Sequence, residues 1–94
     1  ILDELAKRDI AVVLTGMKVS PNMGKAYAAE FEAIYPALAK RDGVTLYPFI
    51  LDGVITDPQL MLDDHLHPNA KGVAKMVEAL VPVVAKALPP QTAP

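Results

Sequence analysis

The stretch LMLDDHLHPNAKG, residues 60–72, holds both histidines of the chain and two of its aspartates, all four within residues 63–67. Asp64 and His67 are three apart, and Pro68 follows His67 directly. The residue before a proline is pushed toward extended backbone, while the proline itself suits the first turn of a helix. His67 is therefore expected at a stiff loop-to-helix junction. A turn just before it can fold the Asp64 carboxylate back onto one imidazole nitrogen. That contact fixes the tautomer and leaves the second nitrogen free to take a proton from a hydroxyl nucleophile. The pattern is the acid-and-base half of a Ser-His-Asp arrangement. Two plainer readings compete with it. His67 can be an ordinary polar residue at a helix entry. His65 and His67, with Asp63 and Asp64 beside them, can also ligate zinc or manganese. A metal site would need a further protein ligand from elsewhere, so no metal is expected. His65 reads as a solvated loop residue and Asp63 as a surface or turn acid.

The elements that must position these groups follow from periodicity. ILDELAKRD, residues 1–9, reads as the last turns of an amphipathic helix. IAVVLTG, residues 10–16, is a β-branched and aliphatic run closed by Gly16, as expected of a strand buried on both faces. A loop rich in turn formers follows, MKVSPNMG. Tyr27, Phe31, Ile34, Tyr35 and Leu38 then mark one face of a helix over about residues 25–41. Pro36 should bend that helix or locally break its ladder, and Asp42-Gly43 should end it. VTLYPF, residues 44–49, reads as a second strand, and residues 50–68 as mostly irregular with one turn around DPQLML. The last helix is expected from about Asn69 to Leu88, capped by the Asn69 side chain. Its apolar stripe is Val73, Met76, Val77, Leu80, Val84 and Leu88, while Lys71, Lys75, Glu78 and Lys86 face water. Residues 89–94 read as a disordered tail.

Strand, helix, strand implies two parallel strands and an α/β fold. In such folds ligands gather on the loops after the carboxyl ends of the strands, here residues 16–24 and 50–68. Met17, Pro21 and Asn22 in the first loop are candidates for bordering a substrate pocket, against ordinary turn chemistry in which Asn22 caps the next helix. Phe49, Ile50, Leu60 and Met61 are candidates for an apolar groove, against a simple core role.

The bulk numbers point to a part of something larger. Hydrophobic residues make up 52% of the 94 residues, rich for a free-standing domain of this size. Two strands hydrophobic throughout cannot be covered on both faces by these helices alone, so further strands are expected elsewhere. A first residue that is isoleucine fits the same expectation, residues 1–88 being the carboxy-terminal part of a single domain. The net charge of −2, with scattered basic residues, argues against a nucleic-acid partner. The chain has no cysteine, which excludes disulfide staples, thiolate metal sites and a cysteine nucleophile. No apolar run reaches the length of a transmembrane segment.

DDHLHPN resembles the D-x-x-H-P-N signature near the carboxy terminus of SGNH (GDSL-type) hydrolases. LTGMKVSPNMG and the following YAAEFEAIYPALAKRDGVTLYPFIL resemble the arylesterase, lysophospholipase and thioesterase branch of that family. The similarity runs from about Ile10 to Leu88. It implies a three-layer α/β/α, flavodoxin-like fold with a parallel sheet, a serine acyl-enzyme mechanism and no cofactor. It also implies Asp64 as orienting acid, His67 as general base and a small acyl ester or thioester as substrate. The family's nucleophile serine, in a G-D-S-like motif, and its oxyanion G-x-N-D motif do not occur in these 94 residues. Ser20 is the only serine, and its VSPN context is no nucleophile elbow. The implied partner is the amino-terminal half of the same enzyme, without which no hydrolysis is expected. The alternative is a non-catalytic module that completes a partner chain. Resemblance to the family also suggests a periplasmic or secreted location.

Overall fold

A computed structural model describes residues 1–88, except for the side chain of Pro21; the tail expected at 89–94 lies outside the described residues. The chain opens with α1, Leu2–Lys7, whose Asp3 and Glu4 sit in the first turn and Lys7 in the last. That placement complements the helix dipole at both ends. Two strands follow the expected order, β1 at Val12–Thr15 and β2 at Val44–Tyr47. They pair in parallel, with Val12 opposite Val44 and Thr15 opposite Tyr47. Between them runs α2, Lys25–Leu38.

Pro36 lies inside α2 and interrupts its ladder only locally, as expected. A proline removes one amide from the ladder, and the bond pattern resumes with the Ala39 amide on the Tyr35 carbonyl at 2.9 Å. The helix stops three residues short of Arg41. Beyond Leu38 the amides of Lys40 and Arg41 reach back only three residues, to Ala37 and Leu38. Gly43, at φ +79°, makes the left-handed turn into β2.

The last helix, α3, spans Ala70–Ala87 and runs through Pro82. The stretch before it is irregular apart from a short 3-10 turn at Pro58–Leu60, which is capped by Asp57, whose side chain accepts from the Gln59 amide at 2.9 Å. The turn expected around DPQLML is therefore present.

Burial departs from the sequence reading. The buried hydrophobic residues are Leu51, Val54 and Met61, all in the irregular stretch. Every residue of β1 is only half-buried. The helix stripes are only partly covered: Tyr27, Ile34, Val73, Val77, Val84 and Leu88 are exposed, while Phe31, Tyr35, Met76 and Leu80 are half-buried. The reason is geometric. Two strands offer too little surface to cover a 14-residue and an 18-residue helix. The radius of gyration is 15.7 Å, against about 12 Å for a compact domain of this length. No helix among the described residues is long and apolar enough to cross a membrane.

Candidate active site

The loop from Met61 to Pro68 is closed at its base. Met61 and Pro68 form an isolated antiparallel bridge, with the Leu62 amide on the His67 carbonyl at 2.7 Å and the Asn69 amide on the Leu60 carbonyl at 2.9 Å. Asn69 ties this base to α3. Its Oδ1 accepts from the Gly72 amide at 2.9 Å, which is the expected helix cap. Its Nδ2 donates to the carbonyls of Gln59 at 2.8 Å and Met61 at 3.4 Å. One side chain thus fastens the 3-10 turn, the loop and the helix entry together. Gly72 is needed at the same seam, because a Cβ there would stand 2.2 Å from the Leu60 carbonyl oxygen.

Within the loop, the His65 amide closes a turn onto the Leu62 carbonyl at 3.0 Å. Asp64 then accepts three times. Its Oδ1 takes the amides of Leu66 at 2.9 Å and His67 at 3.0 Å, and its Oδ2 takes the His67 ring at 2.5 Å from Nδ1. An ionised carboxylate only accepts, so Nδ1 carries a proton, and in the neutral ring Nε2 presents its lone pair. The His67 side chain is 72% exposed. The ring N–H of His67 foremost, then the Leu66 and His67 amides, hold the Asp64 carboxyl well below the usual carboxylate range. The pair is therefore an imidazole held in one orientation beside an ionised carboxylate, which is the arrangement a general base requires. Asp63 and His65 are exposed and stay out of this network. Among the described residues no group of three histidines or acids is placed to hold a metal ion.

The remaining candidates lie at the carboxyl ends of the strands. Gly16 ends β1 against β2: its amide bonds the Tyr47 carbonyl at 2.7 Å, and the Ile50 amide bonds its own carbonyl at 3.0 Å. A Cβ on Gly16 would sit 2.1 Å from the Pro48 carbonyl oxygen, so only glycine allows this approach. Met17 is exposed, and Phe49 and Ile50 are half-buried. Lys18 is not simply solvated: its Nζ stands 5.0 Å from the Phe49 ring centre, so that the two loops touch. Pro21 opens a 3-10 turn, Pro21–Met23, and its side chain lies outside the described set. Asn22 does not cap α2. Gly24 holds that position, while the Asn22 amide leans on the Ser20 hydroxyl at 3.4 Å. Met61 is core, not groove lining. The Ile50–Gly16 bond and the Lys18–Phe49 contact join the two strand-end loops, and the Asn22 bond stays within the first.

No family model matches the chain. The arylesterase of Vibrio mimicus is 42% identical over 77 residues, covering 82% of this chain and 38% of the relative. The thioesterase 1/protease 1/lysophospholipase L1 of Escherichia coli strain K12 is 36% identical over 88 residues, covering 86% of this chain and 42% of the relative. Among solved structures, TesA superposes with a TM-score of 0.80 at 28% identity, over 92% of this chain and 48% of that one. AlinE4, an SGNH-hydrolase family esterase, superposes at 0.65 with 47% identity, over 96% of this chain and 48% of that one. The chain belongs to the SGNH-hydrolase family.

It carries the carboxy-terminal part of a three-layer α/β/α domain, and it spans about 40% of the length of the curated relatives it matches. Sequence reasoning missed three parts of this arrangement. The Leu66 amide on Asp64 is a backbone donor and leaves no side-chain signature. The close approaches at Gly16 and Gly72 had a signal, since glycine is the residue that admits another backbone. The left-handed backbone of His65, at φ +56°, had only the weak signal that histidine tolerates this region better than most side chains.

Proposed function

We propose that this chain supplies the acid and base of a serine ester hydrolase, with Asp64 orienting and His67 as general base. The observation that carries the reading is the three-point hold of Asp64 on the ring and backbone of His67. A serine hydroxyl from the amino-terminal half of the enzyme attacks the acyl carbon of an ester or thioester. His67 Nε2 takes the hydroxyl proton as the new C–O bond forms. It then returns that proton to the departing alkoxide or thiolate, leaving an acyl-serine. Water, deprotonated in turn by His67, releases the acid. Met17, Pro21, Asn22, Phe49 and Ile50 border the substrate in this reading, because they stand on the loops after the strands. Relatives named as arylesterase, thioesterase and lysophospholipase support acyl esters and thioesters as the substrate class. The same relationship is the ground for proposing an exported, periplasmic or secreted enzyme.

The half-buried strands and exposed stripe of α3 favour an amino-terminal half as the missing cover, and they also suit the rival reading of a non-catalytic module completing a partner chain. A chimaera separates the two, with this chain replacing the matching part of AlinE4, its 47% identical relative. The chimaera should hydrolyse aryl esters, and the 94-residue chain alone should not. His67→Ala should lower its kcat on the order of 10²–10⁴-fold, the usual contribution of a positioned base. A folded chimaera whose turnover survives His67→Ala sinks the assignment, and turnover by the lone chain refutes an external nucleophile.

A further inference from the structure

We infer that His65 serves the Asp64–His67 pair through its backbone: it is a positioning residue whose left-handed conformation aims the Leu66 and His67 amides at Asp64. The inference rests on the proposed roles of Asp64 and His67. His65 stands at φ +56°, a region that glycine enters freely and that histidine tolerates better than most side chains. The turn from Leu62 closes on the His65 amide. Right-handed backbone at His65 would prolong that turn helically and send the next amides back toward the carbonyls of Leu62 and Asp63. A left-handed residue breaks this course. Successive amides then converge on one anion, as they do in backbone nests. Here the amides of Leu66 and His67 meet on Oδ1 of Asp64, at 2.9 and 3.0 Å. With Oδ1 held by those two donors, Oδ2 is left facing Nδ1 at 2.5 Å. The direction of the catalytic ring thus depends on the φ angle of a residue whose own ring takes no part. His65 is exposed, and no hydrogen bond or ion pair of the described residues involves its side chain.

The AlinE4 chimaera tests this with four substitutions at one position. His65→Gly and His65→Asn keep the left-handed backbone accessible, so kcat and the low-field Nδ1 proton resonance of His67 should persist, kcat within about threefold. His65→Val makes that conformation a steric outlier, so kcat should fall roughly tenfold or more with KM little changed, and the low-field signal should be lost. If the valine variant does not fold, the order Gly ≥ Asn > Ala in both kcat and signal supports the inference, and equal values across the three overturn it. Equal losses in Gly, Asn and Val would show that the imidazole of His65 matters and not its backbone. A valine variant that retains kcat and signal would also refute the inference. His67→Ala keeps the proposals distinguishable, since its effect reports on the base whatever position 65 does.

Discussion

Gly72 lies against Leu60 so closely that a single methyl carbon would come within 2.2 Å of the Leu60 carbonyl oxygen and 3.0 Å of the Pro68 side chain. That contact sets how near the first turn of α3 stands to the loop carrying Asp64 and His67. Alanine is the better helix former by about 1 kcal/mol, so Gly72→Ala would stabilise an isolated helix. Here the obstacle is backbone, which cannot swing aside as a flexible side chain does. The substitution should cost about 1–3 kcal/mol, as overpacking does, and should lower kcat because Pro68 and His67 move with the seam. Denaturant unfolding of the chimaera checks the first effect. An unchanged or raised midpoint would mean that α3 shifts freely.

Asn69 separates capping from clamping. Asn69→Asp keeps an oxygen for the Gly72 amide but removes the Nδ2 donor to Gln59 and Met61, and it turns a negative charge toward those two carbonyls. Asn69→Ala removes both functions, and the cap alone is worth about 0.5–2 kcal/mol. If the clamp matters as much as the cap, the aspartate variant should be destabilised by about 1 kcal/mol or more, despite its good capping rank. Thermal unfolding of both variants reads this directly. An aspartate variant as stable as the parent would assign the whole role to the cap.

How legible these features were in the sequence depended on the range of the physics behind them. The Asp64–His67 contact followed from a three-residue spacing and a proline, both local. So did the Asn69 cap and the Asp57 turn. Strand pairing followed from strand-helix-strand order. Burial did not follow: valines at helical spacing announce a face that wants covering, but they do not say whether this chain holds the cover. The stripe of α3 is therefore apolar in pattern and exposed in fact. Left-handed His65 was barely hinted at by its residue type, since it answers to the direction of two amides further on.

The pH profile of hydrolysis should have one acid limb within the range of about pH 5 to 8 over which histidine side chains change charge. The sign follows from two facts. Only the neutral ring accepts a proton, so the rate rises with pH through that range. Asp64 contributes no limb there, because the His67 ring N–H and the two amides hold its carboxyl well below the usual carboxylate range. The stability linked to a carboxyl depressed in this way is fully present above its unfolded pKa of about 3.9. It is lost only as pH falls from there through the lower folded value. Loop order, followed by the low-field Nδ1 resonance, should therefore outlast activity as the solution is acidified. Asp64→Asn presents an amide where Oδ2 accepted from Nδ1, which favours the wrong tautomer. It should lower kcat on the order of 10⁴-fold with KM nearly kept. A flat rate between about pH 5 and 8 would remove His67 from the mechanism.

The exposed face of α3 should govern how the chain behaves without its cover. Val77, Val81, Val84 and Leu88 recur at steps of four, three and four, so they share one face of the helix, and each is exposed. Apolar surface of this extent on a protein in water favours association. Parallel strands with open edges add a second route to it. The 94-residue chain should therefore self-associate at micromolar concentration and bind an apolar fluorescent dye. Val77→Lys with Val81→Lys should reduce both signals by placing charge in the middle of the stripe. In the AlinE4 chimaera the same pair should instead lower stability, if the amino-terminal half covers that face. Sedimentation of the lone chain and unfolding of the chimaera supply the two readings. A pair that solubilises the chain yet leaves the chimaera unaffected would show that the stripe faces solvent in the assembled enzyme, and the cover would then have to lie over β1 and β2 alone.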